Sequence, residues 1–202
     1  MVGGGSGQRF GTLKQYEELG GRRVIDHARM AAEAASDGVV VVVPPDDAAR
    51  EGGVGGGATR SDSVRAGLAA VPSDATIICV HDAARPFATA ALFDRAVAAV
   101  VAGADGAIPA IAVTDTIKVV ADGDVVATPD RASLVSVQTP QAFRADVLRR
   151  AHAGADTSTD DAALVEAIGG RVVVVDGDVR NRKITHPDDL EWARRQLESS
   201  RS

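Results

Sequence analysis

Short valine-rich runs separated by longer alanine-rich segments are the feature of this 202-residue sequence that most constrains its fold. The runs, of which 39–43 and the four valines after Arg171 in 171–175 are the clearest, are apolar on both faces of an extended chain. Between them, segments such as 23–35 and 61–71 repeat apolar residues with a helical period. Buried strands that alternate with helices are typical of a sheet covered on both faces. The sequence therefore predicts one α/β domain, residues 1–202, with a doubly wound, mostly parallel, Rossmann-like sheet.

The same patterns predict where the individual elements lie. The predicted strands span 39–43, 76–80, 106–112, 134–137 and 171–175. The predicted helices span 23–35, 61–71, 89–102, 144–153, 160–168 and a last segment that begins near Pro187. Thr89 and Thr185 are the expected N-caps of two of these helices, because a threonine hydroxyl can accept a free N–H of the first turn.

The stretch 114–135 interrupts this alternation. Two apolar runs, 117–120 and 125–128, flank the dipeptide Asp122-Gly123. An Asp-Gly pair between apolar runs is typical of a two-residue hairpin turn. We therefore predict a β-hairpin that projects from the domain as an arm at about 114–135.

The overall charge and composition exclude some classes of partner. Acidic residues outnumber basic ones by 28 to 22, and only 3% of the residues are aromatic. Neither property favours binding of nucleic acid, so we expect any phosphate ligand to be held locally. The single cysteine, Cys79, lies in an apolar run and fits a buried thiol in a reducing compartment. With neither a membrane-spanning run nor a signal peptide, the sequence predicts a soluble, cytoplasmic protein.

A glycine-rich segment opens the chain: Gly3, Gly4, Gly5, Ser6 and Gly7. Glycines let main-chain N–H groups approach phosphate oxygens closely, so the segment suits an anion cradle. Gln8 and Arg9 follow where a Walker A loop requires Lys-Ser or Lys-Thr, and a dinucleotide fingerprint requires Gly or Ala at position 8. A flexible tail is the alternative interpretation. Arg9 and Lys14 favour the cradle, because two cations beside it could neutralise the charge of a departing pyrophosphate.

The position of this segment raises a question about the first strand. A phosphate loop in such folds normally follows a strand, yet only Met1 and Val2 precede Gly3. We therefore expect either that the true start lies upstream or that the first strand has been lost.

Asp82 is the candidate acid of the site. The segment 81–86, His-Asp-Ala-Ala-Arg-Pro, lies at the carboxyl end of the predicted strand 76–80, where open α/β sheets bind ligands. A carboxylate there could hold Mg²⁺ whose other ligands are phosphate oxygens. The alternative is a salt bridge from Asp82 to Arg85 that only fixes the loop. For His81, packing is favoured over metal binding, because the sequence has no partner at zinc spacing.

Two further loops carry polar groups. Residues 59–63 open a helix after the glycines at 52–57, so Gly57 and Ser63 either belong to a helix cap or lie over the base and ribose of a nucleotide. The loop 178–185 is either a solvated connection or, through Lys183, a group that orients a phosphate oxygen. Whether Asp178 is a second metal ligand stays open.

Taken in order, these motifs resemble those of the 2-C-methyl-D-erythritol 4-phosphate cytidylyltransferases over nearly the whole chain. The resemblance rests on the motifs at 5–11, 14–15, 62–64, 81–86, 115–118, 139–141, 159–161 and 183–185. Two departures stand out: three glycines replace the usual Ala-Ala-Gly, and the spacer before Lys14 is short and lacks its proline.

The resemblance implies an activity and an assembly. The family transfers CMP from CTP to methylerythritol phosphate in non-mevalonate isoprenoid precursor synthesis. It releases pyrophosphate, uses magnesium and forms no covalent intermediate. It is homodimeric, and a β-arm embraces the second subunit.

The resemblance also implies roles for residues. The catalytic cations would be Arg9, Lys14, Arg131 and Lys183. Nucleotide contacts would come from Gly3, Gly4, Gly5, Ser6, Gly7, Gly57, Ser63, Asp82 and Ala83. Substrate contacts would come from Asp82, Arg85, Thr116, Arg131, Thr139, Thr159 and Lys183. Asp82 would be the metal ligand.

Two other functions remain open. Ribitol-5-phosphate cytidylyltransferases share the fold and chemistry, but they often carry a valine before the arginine of the 81–86 motif, where this chain has Ala84. A catalytically inactive nucleotide-binding or dimerisation module is the other alternative. Five charged residues on separate loops argue against it, since a scaffold has no need of them.

Overall fold

A mixed β-sheet with helices on both faces organises the chain. The computed structural model describes residues 1–4, 10, 13–154, 158 and 160–199. Its strands are β1 Glu18–Leu19, β2 Arg22–Arg23, β3 Val42–Val43, β4 Val54–Gly55, β5 Ile77–Val80, β6 Gly106–Ala112, β7 Val119–Ala121, β8 Asp124–Ala127, β9 Val135–Val137, β10 Gln141–Arg144 and β11 Val172–Asp176. Its α-helices are α1 Val24–Glu33, α2 Ala48–Glu51, α3 Arg60–Ala70, α4 Ala90–Val101, α5 Ala145–Ala151, α6 Asp161–Ala167 and α7 Pro187–Ser199. Short 3₁₀ turns span Lys14–Tyr16, Pro45–Asp47 and Arg131–Ser133.

The main sheet combines parallel and antiparallel pairs. Its order is β11-β6-β10-β5, and β9 pairs with the far end of β6. β11 runs parallel to β6, whereas β10 runs antiparallel to both of its neighbours, and β9 is also antiparallel to β6. The α/β class is confirmed, but the sheet is mixed rather than clearly mostly parallel. The difference arises because Gln141–Arg144, to which the sequence analysis assigns no strand, inserts between β5 and β6.

Alternating side chains along the strands build a core on each face of the sheet. Ile78 and Phe143 pack with Leu148 in a cluster that includes α5 and α6 residues. Ala107 and Ala142 point to the opposite face and pack against α4. The period-2 alternation therefore places helices on both sides, as the valine-rich and alanine-rich segments predict.

Helix ends agree with the sequence prediction to within two residues, but two of the caps differ. Thr89 is the N-cap of α4, yet its side chain makes no capping hydrogen bond. Before α7 the Asp189 carboxylate accepts the N–H groups of Thr185 and His186, at 2.9 and 2.8 Å. The acid in the first turn therefore bonds the main chain just before the helix, whereas the Thr185 hydroxyl lies 3.4 Å from Lys183 O and, among the described residues, caps no N–H of the first turn.

The residues before the glycine segment form a minimal strand. Val2 bridges Val42 and Asp82, in parallel with both. Its N–H donates to His81 O at 2.7 Å, and its carbonyl accepts the N–H of Ala83 at 2.9 Å. Beside Met1 and Val2, between the valine run that ends in β3 and strand β5, lies a groove of about 640 Å³ with mostly apolar walls. The strand expected before the glycines is thus present as a single bridging residue.

The predicted arm is a two-stranded hairpin. β7 and β8 pair antiparallel around a turn in which Asp122 and Gly123 have φ of 51° and 91°. Positive φ at both central residues is the reason that such turns favour Asp-Gly. Val120 and Val126 of the arm are exposed. No helix of the described residues is long and apolar enough to cross a membrane.

Replacing Phe143 tests the core that fixes the insertion of β10. Phe143 is fully buried between β6 and α5, so we expect Phe143→Ala to lower the free energy of unfolding by about 3–5 kcal/mol. The control is Val174→Ala, which truncates an exposed side chain of β11 and should change stability by less than about 0.5 kcal/mol. Urea denaturation followed by circular dichroism measures both values. Equal stabilities for the two variants would contradict the assignment of Phe143 to the core.

Candidate active site

Asp82 lies at the carboxyl end of β5, within reach of three cations. Lys183 Nζ is 2.8 Å from Asp82 Oδ2, and Arg85 Nε is 3.7 Å from the same oxygen. Arg60 Nε is 3.8 Å from Asp82 Oδ1. Burial alone would raise the pKa of Asp82, but the charges of Lys183, Arg60 and Arg85 hold the pKa well below its usual range. The carboxylate is therefore ionised at neutral pH and organises the cations around it.

Lys183 reaches Asp82 because the loop after β11 is anchored next to the 81–86 loop. Ile184 is buried, and its N–H donates to Ala84 O at 2.8 Å. This main-chain bond fixes the neighbouring Lys183 at the acid. The Lys183 side chain keeps 38% of its surface exposed, against 23% for Arg60 and 11% for Arg85. Lys183 is thus the most accessible of the three cations.

Thr139 fixes the main chain of Asp82. Its Oγ1 accepts the Asp82 N–H at 3.0 Å and lies 3.0 Å from His81 Nδ1. His81 is fully buried, and its ring packs against that of Phe93 in a tilted arrangement, with 5.2 Å between the ring centroids. Burial lowers the pKa of His81 to about 3, so the ring is neutral at pH 7. The packing that the sequence favoured for His81 is therefore observed. The contact of Thr139 with substrate stays a prediction.

Arg85 joins three loops. Its Nη1 donates to Asn181 O at 2.8 Å, and its Nη2 lies 3.4 Å from Val137 O. Arg85 is buried, and with its contact to Asp82 it has the geometry of the loop-fixing salt bridge that the sequence left open. Whether it also contacts substrate stays a prediction.

Two glycine positions, Gly4 and Gly57, converge on the start of α3. A Cβ on Gly4 would lie 3.2 Å from Ser63 Oγ, and one on Gly57 would lie 2.3 Å from Asp62 Cβ. Ser63 Oγ accepts the Gly57 N–H at 3.2 Å and donates to Thr59 O at 3.0 Å. The lack of space for a Cβ atom explains why glycine occupies these positions. Nucleotide contacts of Gly4, Gly57 and Ser63 stay predictions.

The start of α3 is a capping box. The Thr59 hydroxyl accepts the Asp62 N–H at 3.0 Å, and the Asp62 carboxylate accepts the Thr59 N–H, also at 3.0 Å. A helix cap therefore accounts for Thr59 and Asp62. Elsewhere, Gly3 lies against the buried Ala83, since a Cβ on Gly3 would be 3.1 Å from that of Ala83.

The remaining predicted residues lie away from Asp82 or outside the described residues. Arg131 donates to Thr114 O at 3.0 Å at the base of the arm, and Thr116 is exposed between β6 and β7. Neither makes a hydrogen bond or ion pair with Asp82 in the described part of the chain. Lys14 begins a 3₁₀ turn. The predicted residues Gly5, Ser6, Gly7, Arg9 and Thr159 lie outside the described residues.

Sequence reasoning missed a polar network behind the site. The Asn181 amide donates to Thr139 O at 2.8 Å, and Asn181 is fully buried. The Gln138 amide donates to Asp178 O at 2.8 Å and accepts the Asp178 N–H at 3.1 Å. These bonds hold the loop after β11 against Thr139. A polar residue in a loop that follows a buried strand gives only a weak signal, and neither Gln138 nor Asn181 belongs to a motif.

The side chains of the site suit a metal ion that is held mainly by the phosphate groups of a bound substrate. Among residues 1–4, 10, 13–154, 158 and 160–199, no group of three or more His, Cys, Asp or Glu side chains could hold a metal. Asp82 offers a single ionised carboxylate. One carboxylate suffices for Mg²⁺ when phosphates supply other ligands. Asp178, whose Oδ1 accepts the Arg180 N–H at 2.7 Å, is held within its own loop.

Comparison with known proteins identifies a family. Residues 1–199 match the family described as "IspD: 2-C-methyl-D-erythritol 4-phosphate cytidylyltransferase". Among curated relatives, the "Bifunctional enzyme IspD/IspF" of Rhodopseudomonas palustris is 49% identical over 212 residues, which cover 94% of this chain and 53% of the relative. That of Nitrobacter hamburgensis is 48% identical over 212 residues, 94% and 52% of the two chains. The chain spans about half the length of these relatives.

Solved structures give the same result. "The crystal structure of 4-diphosphocytidyl-2C-methyl-D-erythritolsynthase" from Anaerococcus prevotii superposes with a TM-score of 0.84 at 29% identity, covering 98% of this chain and 95% of that one. The 2-C-methyl-D-erythritol 4-phosphate cytidylyltransferase from Thermus thermophilus gives 0.82 at 32% identity, with 98% and 96% coverage. The resemblance inferred from the motifs is therefore confirmed.

The buried His81 makes stability depend on pH. The unfolded chain binds a proton on this histidine below pH 6.5, whereas the folded chain does so only near pH 3. The unfolded state therefore gains protons first as the pH falls. We expect the free energy of unfolding to fall by up to about 1.4 kcal/mol per pH unit between pH 6.5 and 3 from this group.

Urea unfolding at pH 7, 6, 5 and 4 tests this dependence. His81→Asn keeps a polar atom near Thr139 but removes the ring, so its stability curve should be flatter than that of the wild-type chain below pH 6.5. His186→Asn removes an exposed ring and is the control. Parallel curves for His81→Asn and wild type would contradict the expectation.

Proposed function

This chain belongs to the family of 2-C-methyl-D-erythritol 4-phosphate cytidylyltransferases, and we propose that it transfers CMP from CTP to 2-C-methyl-D-erythritol 4-phosphate. The product forms in the non-mevalonate route to isoprenoid precursors, and pyrophosphate is released. The observation that carries the proposal is the convergence of Lys183, Arg60 and Arg85 on Asp82, beside the glycine positions at the end of β5. Such a group of cations suits a reaction between two anions.

The reaction needs charge and position rather than a general base. A phosphate oxygen of the acceptor attacks the α-phosphorus of CTP, and the bond from that phosphorus to the oxygen bridging to the β-phosphate breaks. The attacking oxygen is already anionic, so no proton has to be removed. The protein must align two mutually repelling groups, which is the task that cations and main-chain N–H groups perform in phosphoryl transfer.

The nucleotide side of the site is proposed to be the glycine segment and the start of α3. Gly3, Gly4, Gly5, Ser6, Gly7, Gly57, Ser63 and Ala83 would contact CTP. Arg9 and Lys14 would stabilise the pyrophosphate as it leaves. The close approach of Gly4 to Ser63 supports this assignment, since a nucleotide between the two loops could contact both.

The acceptor side is proposed to be built around Lys183. Its bond to Asp82 fixes its direction, and its exposure leaves it accessible to an incoming phosphate. Arg85, Thr139 and Thr159 would complete the substrate contacts. Asp82 would hold Mg²⁺, which when bound offsets part of the triphosphate charge.

The arm is proposed to contact a second copy of the chain. Val119, Val120, Val125 and Val126 expose apolar surface on both of its strands. Dimerisation through the arm would cover these valines and bring Thr116 and Arg131 to the neighbouring site. A CTP-dependent reaction and a sequence whose one cysteine, Cys79, is a free thiol favour a cytoplasmic location.

Pyrophosphate release tests the function directly. We expect the purified chain, with CTP and Mg²⁺, to release pyrophosphate with 2-C-methyl-D-erythritol 4-phosphate and much more slowly with ribitol 5-phosphate. Lys183→Ala should lower kcat/KM by at least about 100-fold, since it removes a charge beside the reacting phosphates. Arg195→Ala, an exposed change on α7, is the control.

Three results would contradict the proposal. Preference for ribitol 5-phosphate would assign the chain to the other class of cytidylyltransferase. Absence of turnover with either acceptor would leave a nucleotide-binding module. Wild-type rates in a folded Lys183→Ala variant would refute the role of that lysine.

Charge on the arm tests the dimer. Val120→Asp with Val126→Asp should convert a dimer to a monomer in light scattering, because buried carboxylates without partners oppose association. Val174→Asp places the same charge on an exposed position of β11 and should leave the dimer intact. A dimer that persists in the arm variant, or a monomeric wild-type chain, would overturn the arm interface.

A further inference from the structure

A chain of charged and polar side chains connects Asp82 with the end of α5. His152 Nε2 lies 3.0 Å from Asp161 Oδ1, and Arg60 Nη2 donates to Asp161 Oδ2 at 2.7 Å. Arg60 Nε completes the link to Asp82 at 3.8 Å. Three helices, α3, α5 and α6, therefore meet behind the candidate active site through these groups. Asp161 falls within the motif 159–161, but the resemblance assigns a role only to Asp82.

Asp161 lies where burial strongly disfavours an ionised carboxylate. It is fully buried, and so is nearly all of His152. Burial would raise the pKa of Asp161, but the hydrogen bond from His152 and the charge of Arg60 lower it below its usual value. Buried ion pairs contribute little net stability compared with apolar residues of the same volume. Stability alone therefore does not explain this arrangement.

Capping of α6 does not explain Asp161 either. The preceding residue, Asp160, is the N-cap, and its Oδ1 accepts the N–H of Ala163 at 3.0 Å. Asp161 instead turns both carboxylate oxygens to side chains from other helices. Its contacts point toward Arg60, and through Arg60 toward Asp82.

Arg60 is held in one orientation by these contacts. One amino group binds Asp161, and Nε faces Asp82. The other amino group, Nη1, is buried and has no hydrogen-bond partner among the described residues. A buried donor without a partner is unfavourable. The arginine is therefore restrained by its charges rather than by a full set of hydrogen bonds.

We propose that Asp161 and His152 are positioning residues of the transferase. His152 orients the Asp161 carboxylate, which holds the Arg60 guanidinium against Asp82. The guanidinium in turn restrains the oxygen of Asp82 opposite the one bound by Lys183. Asp82 is the proposed nucleotide and metal contact, so the inference rests on the proposed function. When both oxygens of a carboxylate are held, the carboxylate is already oriented before its ligand binds.

Asp161→Asn is the first test, because it keeps the size of the side chain and removes the charge that holds Arg60. We expect kcat/KM for CTP to fall about 10- to 100-fold, which is the usual loss when a residue that orients a metal-binding side chain is replaced. The KM for the acceptor phosphate should stay within twofold of the wild-type value. Asp146→Asn is the matched control, since Asp146 pairs with Arg144 on the exposed surface of α5.

A pair of changes at His152 provides a test that does not depend on Asp161→Asn being folded. His152→Gln retains an amide nitrogen that can reach Asp161, whereas His152→Leu does not. Rescue by glutamine, with kcat/KM for CTP at least fivefold above that of the leucine variant at similar thermal stability, supports the positioning role. Equal activities for the two variants would overturn it.

The dissociation constant of CTP with Mg²⁺, measured by calorimetry, separates the two hypotheses. If the wild-type chain binds CTP but turns over neither polyol phosphate, the proposed function fails, and weaker CTP binding by Asp161→Asn still supports positioning. CTP binding within twofold of wild type, together with unchanged kcat/KM, would overturn the positioning role. If the wild-type chain neither binds CTP nor releases pyrophosphate from it, both the proposed function and the positioning role are overturned.

Discussion

The fold around the site depends on the neutralisation of one buried carboxylate. Asp82 is nearly inaccessible to water, and a charge in that position is tolerated only when other charges and donors surround it. They come from separate parts of the chain: Arg60 from the first turn of α3, Arg85 from the same loop and Lys183 from the loop after β11. Segments far apart in sequence are thereby held at the end of a single strand.

A second layer of main-chain contacts gives these cations their direction. The main-chain carbonyls of Val137 and Asn181 accept hydrogen bonds from N–H groups of Arg85, and the Thr139 hydroxyl accepts the main-chain N–H of Asp82. These bonds connect the ends of β5, β9 and β11, so the sheet and the site share one set of hydrogen bonds. A change in the inserted strand β10 would therefore reach Asp82 through Thr139, which lies two residues before the strand.

Local patterns could be predicted from the sequence, and long-range partners could not. Strand β6 was predicted at its observed bounds, and the arm followed from the steric needs of Asp122-Gly123. β10 was missed, because four residues between a proline and a helix carry little periodicity. Asp82 and Lys183 were both predicted as site residues. Their ion pair, and that of Arg60 with Asp161, join residues about 100 positions apart, where no sequence spacing applies.

The single bridging residue Val2 determines how firmly the glycine segment is attached. Main-chain hydrogen bonds tie Val2 to the 81–86 loop and tie Met1 and Gly3 to Val42, and the amino group of Met1 donates to Val40 O at 2.8 Å. Met1 is also buried in one core cluster, and Val2 packs against another. Detaching this short ladder would also expose both clusters, so it requires more than the breaking of a few hydrogen bonds. In hydrogen exchange, the amides of Val2 and Gly3 would therefore exchange together with those of the sheet core rather than as an independent local unit.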